Sequence, residues 1–172
     1  RARNQQQEAN RPEQQPQAIF LTARTLLATG QAADAEEKLK EIKDPPAPLA
    51  ARLAVTLAEC RLQQADAADA ERIMEGFIAE NSRLPGLPDA FEALDRIYAQ
   101  GGAASSAELR RWAADSRNAQ RAALALFYLA RNEARASKSE KSRQFFREFL
   151  AQYPSHFLAN EARAELSASQ IA

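Results

Sequence analysis

The stretch AADAE at Ala32–Glu36 returns unchanged at Ala67–Glu71, 35 residues further on. Alanine matches carry little in an alanine-rich chain, so larger residues decide whether this is a period. Phe20, Val55, Phe91 and Phe127 follow one another at steps of 35, 36 and 36. Ala23, Ala58, Leu94 and Ala130 keep those steps, and so do the turn residues Gly30, Ala65, Gly101 and Ser137. Leu39, Met74, Leu109 and Phe146 run at 35, 35 and 37, and Ile42, Phe77, Trp112 and Phe149 repeat them. Large apolar and turn residues sharing one register are the mark of a repeated structural unit.

Within the period, apolar residues recur every three or four positions, the spacing of one helix face. The pattern predicts helices over 17–29, 31–43, 49–63, 66–80, 89–100, 105–115, 119–136, 137–153 and 155–171. Tight turns and looser connectors alternate between them. The prolines punctuate the chain and are expected outside the helices, since proline removes a helix hydrogen bond and clashes with the preceding turn. Ser137-x-x-Glu140 reads as a capping box, as does Ser105-x-x-Glu108 in the third unit. Residues 1–16 carry almost no large apolar side chain and read as a polar linker or frayed extension, which leaves 17–172 as the repeat domain.

Composition agrees with a helical reading. The chain of 172 residues is 45% hydrophobic but only 7% aromatic, with five glycines, so alanine and leucine supply much of the apolar content. Those residues lose little entropy on entering a helix. Lys+Arg and Asp+Glu balance at 23 each, which argues against a partner with many phosphates, nucleic acid included. One cysteine excludes an intrachain disulfide and a multi-cysteine metal site. No apolar run reaches the length of a membrane span and no signal peptide is visible. The opening arginine, in place of methionine, reads as the start of a mature or excised segment of a longer polypeptide, from which a targeting signal or anchor could have been removed.

A helix-turn-helix unit recurring at this length resembles the tetratricopeptide repeat. The fourth unit matches that pattern best, with Leu126, Leu129, Ala130, Ser142, Phe146 and Pro154. The second offers Ala54, Leu57, Ala58, Ala70 and Met74, and the first Ile19, Ala23, Leu26, Ala35 and Leu39. The stretch REFLAQYPSHFLANEARAEL also resembles repeats of bacterial envelope proteins of the Tol-associated and outer-membrane assembly lipoprotein type. The resemblance implies an all-α, right-handed superhelical array of antiparallel helix hairpins, an α-solenoid of about four repeats plus a closing helix. It also suggests a bacterial periplasm or envelope location.

One helix pair cannot bury its own apolar face, so pairs stack and form an extended concave surface. In the family resembled, first helices line that surface. By position they would present Phe20, Val55, Phe91 and Phe127, then Leu27, Leu62, Tyr98 and Ala134, edged by Arg24, Glu59, Asp95 and Arg131. Such a strip suits an amphipathic helix or extended peptide. Two readings stay open for the aromatic stripe: packing between neighbouring helices, or a partner groove. Solvent exposure separates them.

No catalytic, metal-binding or cofactor-binding constellation is present in the sequence. His156, the only histidine, reads as an isolated residue at a helix start, and Cys60 as a semi-buried filler. Glu36-Glu37 and Glu71 read as solvated helix faces, Gly101-Gly102 as a cap or turn, and Trp112 as core. The expected function is therefore a non-enzymatic scaffold that binds a peptide or protein segment in a groove. The alternative is a structural or assembly component of a bacterial envelope complex, self-associating through its end units. An exposed Leu166 or Ile171 on the last helix would favour that alternative.

Overall fold

The computed structural model describes residues 15–100 and 107–168. Ser105, Gly101, Gly102, Ile171 and residues 1–14 of the expected linker lie outside the described residues. Nine helices and no strand occur among the described residues, an all-α helical repeat array. In chain order they are α1 Gln15–Ala28, α2 Ala32–Lys40, α3 Ala47–Gln63, α4 Ala67–Glu80, α5 Leu87–Gln100, α6 Ala107–Ala113, α7 Ala119–Arg135, α8 Ser139–Gln152 and α9 Ala159–Ala168.

The period is written in the backbone. Gly30, Ala65 and Ser137 all take positive φ, +81°, +60° and +58°. At each, the following residue donates its N–H to a carbonyl five positions back: Gln31 to Leu26 at 2.9 Å, Asp66 to Arg61 at 2.9 Å and Lys138 to Glu133 at 3.0 Å. The positive-φ residue itself donates three positions back, to Leu27, Leu62 and Ala134. This double bond pattern is the Schellman motif, which satisfies the free carbonyls at a helix end and reverses the chain. The same residues that share a register in sequence therefore share one turn in structure.

The helix boundaries correct two expectations. Pro16, Pro48 and Pro88 each lie in the first turn of a helix, α1, α3 and α5, rather than outside it. First-turn N–H groups have no intrahelical partner, so proline forfeits nothing there. The Ser137-x-x-Glu140 capping box does not form. Ser137 is committed to the left-handed turn, Lys138 is the N-cap with no side-chain cap, and Glu140 pairs with Arg143 at 2.6 Å.

The chain forms two compact units. Residues 15–77 with 84–90 form the first. There α1 packs on α2, and α3 on both. Phe20, Ala23 and Leu27 of α1 meet Ala35 and Leu39 of α2 and Leu49 and Cys60 of α3. Ala23 and Ala58 are fully buried small residues, and burial on this scale supplies about 1.5–3 kcal/mol for each large side chain. Glu36, also buried, accepts from Gln64 at 3.1 Å and pairs with Lys40 at 2.6 Å and Arg61 at 2.5 Å. The Lys40 hydrogen bond holds its carboxyl below the usual range against the opposing cost of burial. Gly86 sits against α3, where an added Cβ would overlap the Cβ of Ala51.

Residues 78–83 with 91–168 form the second unit. α7 is buried at every position from 121 to 130, because α6 and α8 pack on it and α5 supplies a third neighbour. A line of aromatic contacts runs through this unit. Trp112 meets Phe91 at 5.7 Å, Phe91 stacks on Tyr128 at 5.8 Å, Tyr128 meets Phe127 at 5.3 Å, and Phe127 meets Phe146 and Phe149 at 5.6 Å. These separations suit edge-to-face and offset ring pairs, which add to the area buried.

Candidate partner-binding surface

The structure splits the expected groove residues into two sets. Phe20, Phe91 and Phe127 are 0% exposed, and Leu27, Asp95 and Tyr98 are buried as well. This corrects the groove expectation for those six, which no partner can touch in the folded chain. Stacking consumes the stripe, because helix neighbours need those large side chains for their own packing. Val55, Glu59, Leu62 and Arg131 are half-buried, and Arg24 and Ala134 are exposed.

The four charged candidates find one another in register-matched pairs. In the first unit Arg24 of α1 lies 3.9 Å from Glu59 of α3. In the second, Arg131 of α7 lies 3.6 Å from Asp95 of α5. Each pair joins neighbouring first helices at equivalent positions of the period. Arg24 and Glu59 are 54% and 37% exposed, so their pair contributes at most about 1 kcal/mol. Asp95 is deeper and holds a second guanidinium, that of Arg135. Arg131 extends the line to Glu161 of α9 at 3.3 Å and lies over the ring of Tyr128. Burial, reinforced by the charge of Asp95, pushes the Tyr128 hydroxyl well above the usual phenol range.

Sequence reasoning missed Arg135 and Glu161. Arg135 was within reach of the pattern, four residues beyond Arg131 and so on the same helix face. Glu161 was not, since it falls off the period. The residues singled out for chemistry stay apart. Cys60 is buried, its thiol pushed up to about 11 by burial and then by Glu36 and Glu59. His156 is half-buried between Phe149 and Phe157 and accepts the Leu158 N–H on Nδ1. Trp112 is core, 2% exposed. Among the described residues no cluster of His, Cys, Asp and Glu is placed to hold a metal ion, and no helix is long and apolar enough to cross a membrane.

Residues 124–156 match the family model described as Tetratricopeptide repeat. The matched stretch covers most of α7, the Ser137 turn, α8 and the start of the following turn. It coincides with the unit whose sequence resembled the repeat most closely. Tetratricopeptide repeats generally mediate protein–protein interactions and act as non-enzymatic modules. No curated protein matches the chain.

Proposed function

We propose that this chain is a non-enzymatic interaction module whose partner-facing strip is the solvent-accessible part of the first-helix face. In the first unit the strip is Arg24, Val55, Glu59 and Leu62, and in the second Arg131 with Arg135. The supporting observation is the register-matched pairing of Arg24 with Glu59 and of Asp95 with Arg131. The same face recurs in both units and keeps charge in contact with water, with part of its apolar surface, Val55 and Leu62, open in the first unit. An amphipathic peptide fits it, with an apolar anchor against Val55 and Leu62 and charges of either sign beside it. The balanced charge of the chain supports a protein partner over nucleic acid.

Affinity capture with the wild type and a Leu62→Glu variant tests the reading. A buried reporter such as Phe127 cannot serve, since its substitution would destabilise the unit and not the strip alone. Partners lost with Leu62→Glu, at unchanged far-ultraviolet circular dichroism, support the strip. Partners retained by that variant and by Arg131→Glu remove it.

Phe157 favours a second reading. It is 66% exposed at the turn before α9, in the stretch resembling envelope assembly proteins. An aromatic ring held in water at the last described hairpin suits end-to-end self-association within an envelope complex. Leu166 is half-buried and adds less to such a face. Sedimentation of wild type against Phe157→Ser decides it: a wild-type oligomer dispersed by the substitution supports self-association, and a monomeric wild type excludes it.

A further inference from the structure

A cleft of about 590 Å³ lies within the second unit, walled by Ala79, Trp112 and Asp115 and by three arginines, Arg111, Arg117 and Arg121. We infer that this cleft binds a carboxylate of an acidic peptide segment. The inference takes the peptide nature of the ligand from the interaction-module reading, and stands apart from the first-helix strip.

The electrostatics follow from how each group is already used. Asp115 is saturated: it accepts from Arg121 Nη2 at 2.7 Å, Arg117 Nε at 2.9 Å, the Arg117 N–H at 3.2 Å and Asn118 Nδ2 at 3.3 Å. Those bonds, Arg117 first, hold its carboxyl far below the usual range, so its charge is spent fixing the loop between α6 and α7. Arg121 is 8% exposed and anchored, with Nη1 donating to the Ala79 carbonyl at 2.9 Å, while its Nε has no partner. Arg117 and Arg111 differ. Their side chains are 86% and 64% exposed, and Arg111 pairs with Glu108, which lies outside the cleft. Exposed pairs of this kind are worth about 1 kcal/mol or less, so Arg111 can turn to an incoming carboxylate at small cost, and Arg117 can meet it on the open edge of its guanidinium while Nε stays on Asp115. With Asp115 subtracted from three arginines, the lining carries a charge of +2, or +1 with Glu108 counted.

An arginine fork recognises a planar carboxylate through two parallel hydrogen bonds. Two exposed arginines over a buried one suit an acidic side chain or chain terminus. The volume is large for an isolated small anion and matches a few residues of peptide.

Trp112 is the only tryptophan and packs beneath the cleft, so its emission is an indirect reporter of binding there. The test titrates the full chain with a short N-acetylated Asp/Glu peptide, its Asn/Gln counterpart, and inorganic phosphate. The expected result is a saturable emission change with the acidic peptide alone, weakened by added salt and weakened about tenfold in the Arg111→Gln/Arg117→Gln variant. Both substitutions are at exposed positions, and circular dichroism verifies the fold. An absent or unsaturable change, an unaltered affinity in the double variant, or phosphate acting as strongly as the peptide would overturn the inference. Leu62→Glu, which tests the strip, should leave this titration unchanged; its loss there would overturn the cleft as an independent site.

Discussion

The α1–α2 and α7–α8 hairpins share one turn and differ in nearly everything around it. Both reverse through a left-handed residue with the same two hydrogen bonds. Yet α1 buries only one stripe, Phe20, Ala23 and Leu27, and leaves Leu21 54% exposed, whereas α7 is buried on all sides from 121 to 130. The filling differs too. Phe20 sits among aliphatic side chains with the Arg52 guanidinium 4.6 Å above its ring, while Phe127 sits among three aromatic rings. A repeat of this kind fixes the turn and the small contact positions, and leaves each unit to fill its core with what its neighbours require.

The largest effect should come from that filling. Phe127→Ala is expected to cost about 4 kcal/mol, from the cavity it leaves and the ring pairs it removes. Phe20→Ala should cost about 3 kcal/mol, since no aromatic partner is lost. Urea denaturation followed by circular dichroism measures both. Trp112 emission follows the second unit separately, so a Phe20→Ala loss that equals the Phe127→Ala loss in that signal would contradict the distinction drawn between the hairpins.

The next contrast is electrostatic and asymmetric. Leu26 of α1 and Glu133 of α7 occupy equivalent positions in the period. Glu133 is 1% exposed and paired with Arg110 and, at 3.5 Å, with Lys138. Its oxygen Oε2 has no hydrogen bond. Arg110→Ala strands most of that carboxylate in the core and should cost about 2 kcal/mol. Glu133→Leu returns the half-exposed Arg110 to water and restores the residue found in α1, so it should be nearly neutral. Equal losses for the two variants would mean that the pair stabilises the hairpin as a unit.

The shared turn gives a smaller pair of effects with opposite signs. A Cβ added at Gly30 meets no atom, so Gly30→Ala tests backbone conformation alone and should cost about 1 kcal/mol. Ser137 holds the same conformation with a side chain in place. Ser137→Gly relieves that strain against added chain entropy, for a gain of about 0.5 kcal/mol. Thermal melts of both variants read the signs directly.

Much of this comparison was legible in the sequence. Gly30, Ala65 and Ser137 stood in register, and the turn needs only a tolerable left-handed residue there, so spacing was enough. The burial of Leu39, Met74, Leu109 and Phe146 followed from the same period. The site was less legible. A helix face can be read from spacing, but whether a phenylalanine on it meets water depends on how closely the next helix packs. Phe20, Phe91 and Phe127 therefore read as groove or core alike. The Ser137 capping box failed because one residue cannot serve two turns, and sequence does not say which wins. The arginine cleft depends on Asp115 and Arg117, loop residues outside any period, and only coordinates bring them beside Arg121.

The smallest expected effect lies at the end of the α7–α8 hairpin, where α1–α2 has no counterpart. His156 Nδ1 accepts the Leu158 N–H at 3.3 Å, a role open only to the neutral ring, and burial lowers its pKa below the ordinary value of 6.5. A depressed pKa means that the unfolded chain binds the proton more readily. The stability gained from the neutral ring is therefore present above pH 6.5 and is lost as the pH falls through the lower folded value. His156→Asn keeps an acceptor at the turn and removes the titration. Because the chain has a single histidine, urea midpoints taken at about pH 7.5 and about pH 5 should separate for the wild type more than for the variant. Identical separations would show that the ring is held by Phe149 and Phe157 alone and that its hydrogen bond contributes nothing to the hairpin.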